Sequence, residues 1–249
     1  MKIVIYTCVA GRYDEKIYEV ANQCCIDECF LFTNDVLTHS AGWYVKKLAM
    51  PSSITRPDLV NRYHKFFPHL LPFKADMSIY MDGNFEVKKD IGSLIKKFLQ
   101  SKKTFGCLKH PQRENILQEA DACKFLGKFK DNDKTRVSKQ IKFYFNDGFP
   151  MDSHLQSAGI LFRRHDNLPL LHDAMSLWWG QINTYTARDQ ISLPYVLWKT
   201  QLPFMSFDLN IFDNEYFERH LHRQKESLIT RLKRTVRSEV RRFGRLVRR

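Results

Sequence analysis

Residues 78–84, Ser78-Ile79-Tyr80-Met81-Asp82-Gly83-Asn84, form an apolar run that stops abruptly at an acid, a glycine and an amide. Ile79, Tyr80 and Met81 are strand-forming or apolar and have polar residues on either side, the pattern of a short buried strand. Side chains two apart in a strand project to the same side, so Asp82 and Asn84 share one. Gly83 between them lets the backbone turn or lie close to a ligand. Two hard oxygen donors at a strand terminus suit a divalent cation that keeps phosphate oxygens in its shell. Such an ion offsets the charge of a departing diphosphate, which sugar transfer from a nucleotide sugar requires. The same three residues also fit an ordinary turn that closes a strand.

Upstream, Lys2 to Val9 reads as a buried first strand entering the loop Ala10-Gly11-Arg12-Tyr13-Asp14. Phe30-Leu31-Phe32-Thr33, closed by Asn34-Asp35, is a second, and Trp43-Tyr44-Val45 a third. Strands that end in polar loops and alternate with helices indicate a parallel sheet with ligands at the strands' carboxyl ends. Thr7, Arg12, Asp14 and Asp35 therefore fall on one candidate rim, although each alone is equally a solvated loop residue. Pro57 in a first turn, with Leu59, Tyr63, Phe66 and Phe67 apolar, predicts a short amphipathic helix toward His69. Arg62 and Lys65, three apart, share a face that either holds diphosphate oxygens or is simply solvated.

Downstream, residues 90–101 read as an amphipathic helix, 104–108 as a strand leading to Lys109-His110-Pro111, and 114–129 as a helix. Residues 128–142 are highly charged, an exposed helix or a connection, and Phe143 to Gly148 ends in a turn. Gln156-Ser157-Ala158-Gly159 enters an apolar strand, 168–182 is a helix carrying Trp178 and Trp179, and Arg188-Asp189-Gln190 opens a last apolar helix. No internal repeat is visible.

A chain of 249 residues can bury the core of one large α/β domain, and 43% hydrophobic with 13% aromatic content excludes disorder. No window has the apolar length of a membrane-spanning helix. The six cysteines form no CxxC pair, and Cys24-Cys25-x3-Cys29 lacks a second ligand pair, so they read as reduced structural thiols. With no signal-peptide anatomy over Met1 to Ala10, the domain is expected in a reducing cytoplasm. The net charge of +13 is concentrated in residues 223–249, where eleven Lys/Arg face only Glu226 and Glu239. Helical placement gathers Leu228, Ile229, Leu232, Val236, Val240, Phe243, Leu246 and Val247 within an arc of ~120° opposite the basic residues. That pattern suits a helix lying on an anionic membrane surface. A docked helix needs fewer arginines and a nucleic-acid arm a less clean stripe, so no nucleic-acid partner is expected. The expected division is a domain over 1–222 and a basic amphipathic tail over 223–249.

Several separated motifs, taken in order, resemble a known family. Thr7-Cys8-Val9-Ala10-Gly11-Arg12-Tyr13-Asp14, Phe32-Thr33-Asn34-Asp35, Arg62-x2-Lys65-x2-Pro68-His69 and the 78–84 stretch look like the domain of unknown function 616 family. Lys109-His110-Pro111, Gly159-Ile160-Leu161-x2-Arg164 and the run from Arg188 to Lys199 continue the match across residues 3–215. That family is glycosyltransferase-like and has plant and bacterial members; this chain reads as a bacterial one. The resemblance implies a GT-A-like fold, a mixed, mainly parallel sheet flanked by helices, with a nucleotide-sugar donor and Mn²⁺ or Mg²⁺. It makes Asp82 the metal ligand of a DxD-like motif, with Asn84 where many such enzymes have a second acid and His220 or His222 as a further ligand. Thr7, Arg12 and Asp35 would line the nucleotide pocket and Arg62 and Lys65 the diphosphate. Asp189 would orient the sugar or act as base toward the acceptor hydroxyl, unless it caps its helix and supports Gln190. His110 would line the acceptor side or simply close its strand.

The expectation is a cytoplasmic, peripherally membrane-associated glycosyltransferase extending a glycan or lipid-linked acceptor, such as a lipopolysaccharide core or surface polysaccharide. The alternative is a catalytically degenerate domain of the same fold that binds glycan or nucleotide or acts as a scaffold.

Overall fold

The computed structural model describes residues 1–10, 17–34, 41–48, 51, 54, 57–129 and 132–220. Arg12, Asp14, Asp35, His222 and the whole tail over 223–249 lie outside the described residues. In chain order the strands are β1 (Ile3–Val9), β2 (Glu28–Thr33), β3 (Tyr44–Lys47), β4 (Met77–Met81), β5 (Phe85–Val87), β6 (Phe105–Lys109), β7 (Gln156–Arg164), β8 (Phe204–Phe207) and β9 (Phe217–Arg219). The helices are α1 (Pro57–Phe66), α2 (Gly92–Gln100), α3 (Ile116–Phe125), α4 (Asp133–Asn146), α5 (Leu168–Thr184) and α6 (Asp189–Thr200).

Seven strands make one sheet in the order β3-β2-β1-β4-β7-β6-β8, with β7 alone running against its neighbours. This is the mixed, mainly parallel α/β architecture expected. All seven residues of β1 are buried, as a strand covered on both faces requires. Ile3, Ile5 and Val9 point into one layer with Ile79, Met81, Phe162 and the α2 residues Leu94, Ile95 and Phe98. Val4, Tyr6 and Cys8 point into the other, against Val60 of α1, Trp178 of α5 and Leu193 of α6. Each such aliphatic or aromatic side chain, once enclosed, contributes about 1.5–3 kcal/mol against chain entropy.

Three elements were not visible in the sequence. β8 spans four residues, and β5 and β9 form a separate two-stranded ribbon of three residues each, too short for any periodicity to register. The stretch Phe143 to Gly148 ends in a turn as expected, at Asp147-Gly148, and its first four residues complete α4, where Tyr144 is fully enclosed and stacks on Tyr195 at 3.9 Å. Gly159 lets the ribbon lie close to the main sheet, because a Cβ there would meet Phe85 at 2.9 Å. Its carbonyl accepts from the Asp82 amide at 2.9 Å, which places the ribbon directly behind the end of β4.

The fold also carries a pH response. His165 is 2.9 Å from the Ser78 hydroxyl, and burial together with Arg163 pushes its pKa down to about 4 from 6.5. The unfolded chain therefore takes up a proton near pH 6.5 that the folded chain refuses until about pH 4, so stability falls as pH drops through that window. His110, pushed down to about 4 by burial and Arg113, acts with the same sign. Denaturant melts between pH 7 and 4.5 are expected to show this loss, and His165→Gln to flatten it; an unchanged slope in that variant would remove His165 from the account.

Candidate active site

β1, β2, β4 and β6 all point their carboxyl ends toward one edge of the sheet, so Thr33, Asp82 and His110 follow or end their strands there. The centre of that edge is held by Lys65, in the last turn of α1. It is 1% exposed, and its ammonium lies 2.7 Å from Asp189 Oδ2 and 3.2 Å from Asp82 Oδ1. Tyr80, two residues before Asp82 and therefore on the same side of β4, donates its hydroxyl to Asp82 Oδ1 at 3.0 Å. The Lys65 ammonium also sits 5.0 Å from the Tyr80 ring centroid, an added cation–π contact.

A lysine is enclosed only when its charge is matched, and here the match is built by tertiary structure. Arg163, fully buried within β7, donates to the Lys65 carbonyl at 2.6 Å and to the Tyr6 hydroxyl at 3.2 Å. The Tyr6 hydroxyl in turn donates to the Lys65 carbonyl at 3.2 Å. Phe66 stacks on Trp178 at 4.2 Å, fixing the same turn of α1 from the other side. Lys65 was expected to share with Arg62 a helix face that either holds diphosphate oxygens or is solvated. It is buried, which rules out the solvated alternative for Lys65, and its ammonium bridges two carboxylates within the protein.

Asp189 opens α6. Its Oδ1 accepts from the Gln190 amide at 3.0 Å while Oδ2 takes Lys65, so helix-end support and site geometry reside in one side chain. Trp178 Nε1 donates to the Asp189 carbonyl at 3.2 Å and to Ser192 Oγ at 3.1 Å, tying the turn to α5. Burial alone would raise the Asp189 pKa, but Lys65, Arg62 and Arg188 outweigh it and hold the carboxyl well below the usual range. With Lys65 on Oδ2 at 2.7 Å and the Gln190 amide on Oδ1 at 3.0 Å, both carboxylate oxygens are engaged within the protein.

Asn84 is 1% exposed; its amide donates to the His220 carbonyl at 2.7 Å, and its Oδ1 has no partner among the described residues. The Asp82 side chain stays 38% exposed, and Asp82 to Phe85 form a turn in which the Phe85 amide donates to the Asp82 carbonyl at 3.1 Å, the strand-closing turn that the sequence also allowed. His220 meets Asn84 through its backbone, while its ring bonds Glu86 at 2.8 Å and stacks on Tyr18 at 3.8 Å. Thr7 is buried in β1, with a hydroxyl that lacks a partner among the described residues. His110 accepts from the Gln112 and Arg113 amides at Nδ1 (3.2 and 3.1 Å), which fits the strand-closing reading. Arg188 is tied to the buried Glu119 at 3.5 Å, and Arg113 pairs with the same carboxylate.

Tyr80 and Arg163 were not singled out from the sequence. Tyr80 had a usable signal, its period-two spacing from Asp82 in the strand already marked. Arg163 shows only as a charge inside an apolar strand, and what it bonds depends on helix placement. A surface pocket of about 770 Å³ opens at the opposite, amino end of the sheet, between Met1, Cys24, Cys25 and Leu99, and takes no part in this cluster.

Residues 54–226 match the family described as TOD1/MUCI70, glycosyltransferase-like domain. A relative named "Probable hexosyltransferase MUCI70" from Arabidopsis thaliana is 30% identical over 142 residues, which is 53% of this chain and 23% of that protein's length. Among solved structures, mouse xyloside xylosyltransferase 1 in its apo form is 9% identical, covering 83% of this chain and 84% of that one at a TM-score of 0.45. The WbbM bifunctional glycosyltransferase apo structure is 14% identical, covering 83% of this chain and 38% of that one at a TM-score of 0.40. The family match takes in most of the chain, from the residues before α1 to beyond β9, and with them Lys65, Asp82 and Asp189; the protein belongs to the TOD1/MUCI70 glycosyltransferase-like family.

Proposed function

We propose that the protein transfers a hexosyl group from a nucleotide sugar to a glycan or lipid-linked acceptor, of the kind used in lipopolysaccharide or surface-polysaccharide assembly. What carries the reading is the meeting of Asp82, Lys65 and Asp189 at the carboxyl edge of the sheet, where open α/β sheets take their ligands. The family supplies the reaction class and the relative's name the hexosyl group.

Asp82 and Asn84 would hold Mn²⁺ or Mg²⁺; the half-open carboxylate and the unpartnered amide oxygen two residues on fit such an ion. When bound, the ion supplies charge stabilisation to the departing diphosphate. The chain's own residues do the remaining work. Lys65 and Tyr80 fix the Asp82 carboxylate, and Arg62 lies near enough to Asp189 to act on its charge and to face diphosphate oxygens. Asp189, held ionised, stabilises positive charge that develops on the sugar as the bond to the leaving group lengthens. Thr7, Arg12, Asp35 and Gln190 complete the donor pocket in this reading. Residues 223–249 would bring the edge to an anionic membrane surface at its cytoplasmic face, on the strength of their apolar stripe and dense arginines.

The test is a thermal-shift screen of UDP-, GDP-, CMP- and dTDP-sugars with and without Mn²⁺. A ligand that binds only the folded state raises the melting midpoint. A shift with one nucleotide that grows with Mn²⁺ is the expected result. No shift with any donor would overturn the transferase reading in favour of a degenerate domain acting as a scaffold. Deleting 223–249 should abolish sedimentation with anionic liposomes while the donor shift survives.

A further inference from the structure

The β5–β9 ribbon puts two glutamates directly opposite each other. Its antiparallel register pairs Phe85 with Arg219, Glu86 with Glu218 and Val87 with Phe217. The bond from the His220 amide to the Asn84 carbonyl at 2.9 Å extends that register by one pair. Alternation then puts Asn84, Glu86, Glu218 and His220 on one face, while Phe85, Val87 and Phe217 bury the other. Like charges directly across a ladder repel, and among the described residues neither glutamate is paired with a lysine or arginine. A ribbon of two three-residue strands has little ladder energy to set against that repulsion.

We propose that Glu86, Glu218 and His220 form a binding site for one divalent transition-metal ion, Mn²⁺ or Zn²⁺, separate from any ion held by Asp82. The donor atoms of the three residues lie within 4.8 Å of one another, and His220 Nε2 is 2.8 Å from Glu86 Oε2. Ligands about 2.0–2.2 Å from a common ion stand roughly 3 Å apart when adjacent, so this pair needs little movement to bind together. The imidazole is already oriented. Its ring stacks on Tyr18 with planes 4° apart, and its backbone is clamped by Asn84 on both N–H and carbonyl. Asn84 serves this site only by holding His220, through its backbone carbonyl and its side-chain amide, while its Oδ1 is left to the ion at Asp82. One imidazole with two carboxylates is a donor set shared by Mn²⁺ and Zn²⁺, and less suited to soft ions that prefer thiolates. The ion would cancel the cross-strand repulsion and lock β9 onto β5, immediately behind the turn that carries Asp82.

The site is tested on the full chain, stripped with a chelator and desalted, by calorimetric titration with Mn²⁺ and Zn²⁺ alone. One ion is expected per chain, weakened at least ~10-fold by Glu218→Gln and unaffected by Asp82→Asn. Two ions, one lost in each variant, would equally support the assignment. No uptake, or uptake lost in Asp82→Asn but kept in Glu218→Gln, would overturn it. Melting supplies a second readout that misfolding cannot mimic. Without metal, Glu218→Gln should melt at or above the unmodified chain because a repulsion is gone, and with metal below it. None of these readouts involves a sugar donor, so a failure of the transferase reading leaves them intact.

Discussion

Replacing Lys65 by methionine is expected to end sugar transfer and to destabilise the fold by about 3–5 kcal/mol. Methionine keeps most of the stem volume, so the cavity contribution is small and the loss reports the charge. Asp189, whose side chain is only 14% exposed, would face Asp82 with no ammonium between them. The remedy for stability is to remove the stranded charge. Adding Asp189→Asn to the methionine variant should recover most of the loss, and transfer should stay absent because the fixed anion is gone as well. Guanidinium denaturation checks the first claim and an assay with the donor found in the screen checks the second. If the single variant is as stable as the unmodified chain, the bridge is a solvated contact and the site model built on it fails.

The same bridge sets the acid limb of stability. Asp189 titrates below its ordinary 3.8 when folded, so its contribution is fully present above about pH 4 and is lost as pH falls through the lower folded value. In Lys65→Met the largest favourable influence on that carboxylate disappears, burial is opposed only by Arg62 and Arg188, and the loss should begin at higher pH. This limb lies below the window governed by His165 and His110, so the two are separable in one pH series.

Asp82→Ala is expected to lower transfer by about 100-fold or more while leaving stability within ~1 kcal/mol. The stability side follows from geometry: more than a third of the Asp82 side chain is exposed, and Lys65 keeps its shorter contact to Asp189. The activity side follows from the charge that has to be managed when a diphosphate departs. Steady-state rates with the matched donor, beside a melt of the same sample, separate the effects. The Mn²⁺-dependent part of the donor shift should vanish with the carboxylate. Full activity in this variant would remove Asp82 from the chemistry and leave it a strand-end residue held by Tyr80.

Most of the sheet was legible because its strands are buried on both faces and therefore read as unbroken apolar runs, as Ile3–Val9 and Met77–Met81 do. α1, α2, α5 and α6 were legible from helical spacing and from Pro57 and the 188–190 triplet at their starts. β5 and β9 were not, because three residues carry no period, and they exist only because Gly159 leaves room and Phe85, Val87 and Phe217 find a surface to bury. The candidate site divides the same way. Asp82, Asn84, Lys65 and Asp189 announce themselves by type and position, yet nothing local says that an ammonium 17 residues from one acid and 124 from the other will bond to both.

The sequence by itself determined the α/β class, the strand whose end carries Asp82, and which acids and bases were available to the site. Local propensity and hydrophobic periodicity suffice for that, since they act over a few residues. Tertiary structure alone decided that Lys65 is an internal counter-ion, that Arg163 and Tyr6 hold its turn, and that His220 turns its ring to Glu86. Those outcomes depend on which charges remain unsolvated once the two layers close on the sheet, and desolvation is a property of the packed chain and of no segment within it.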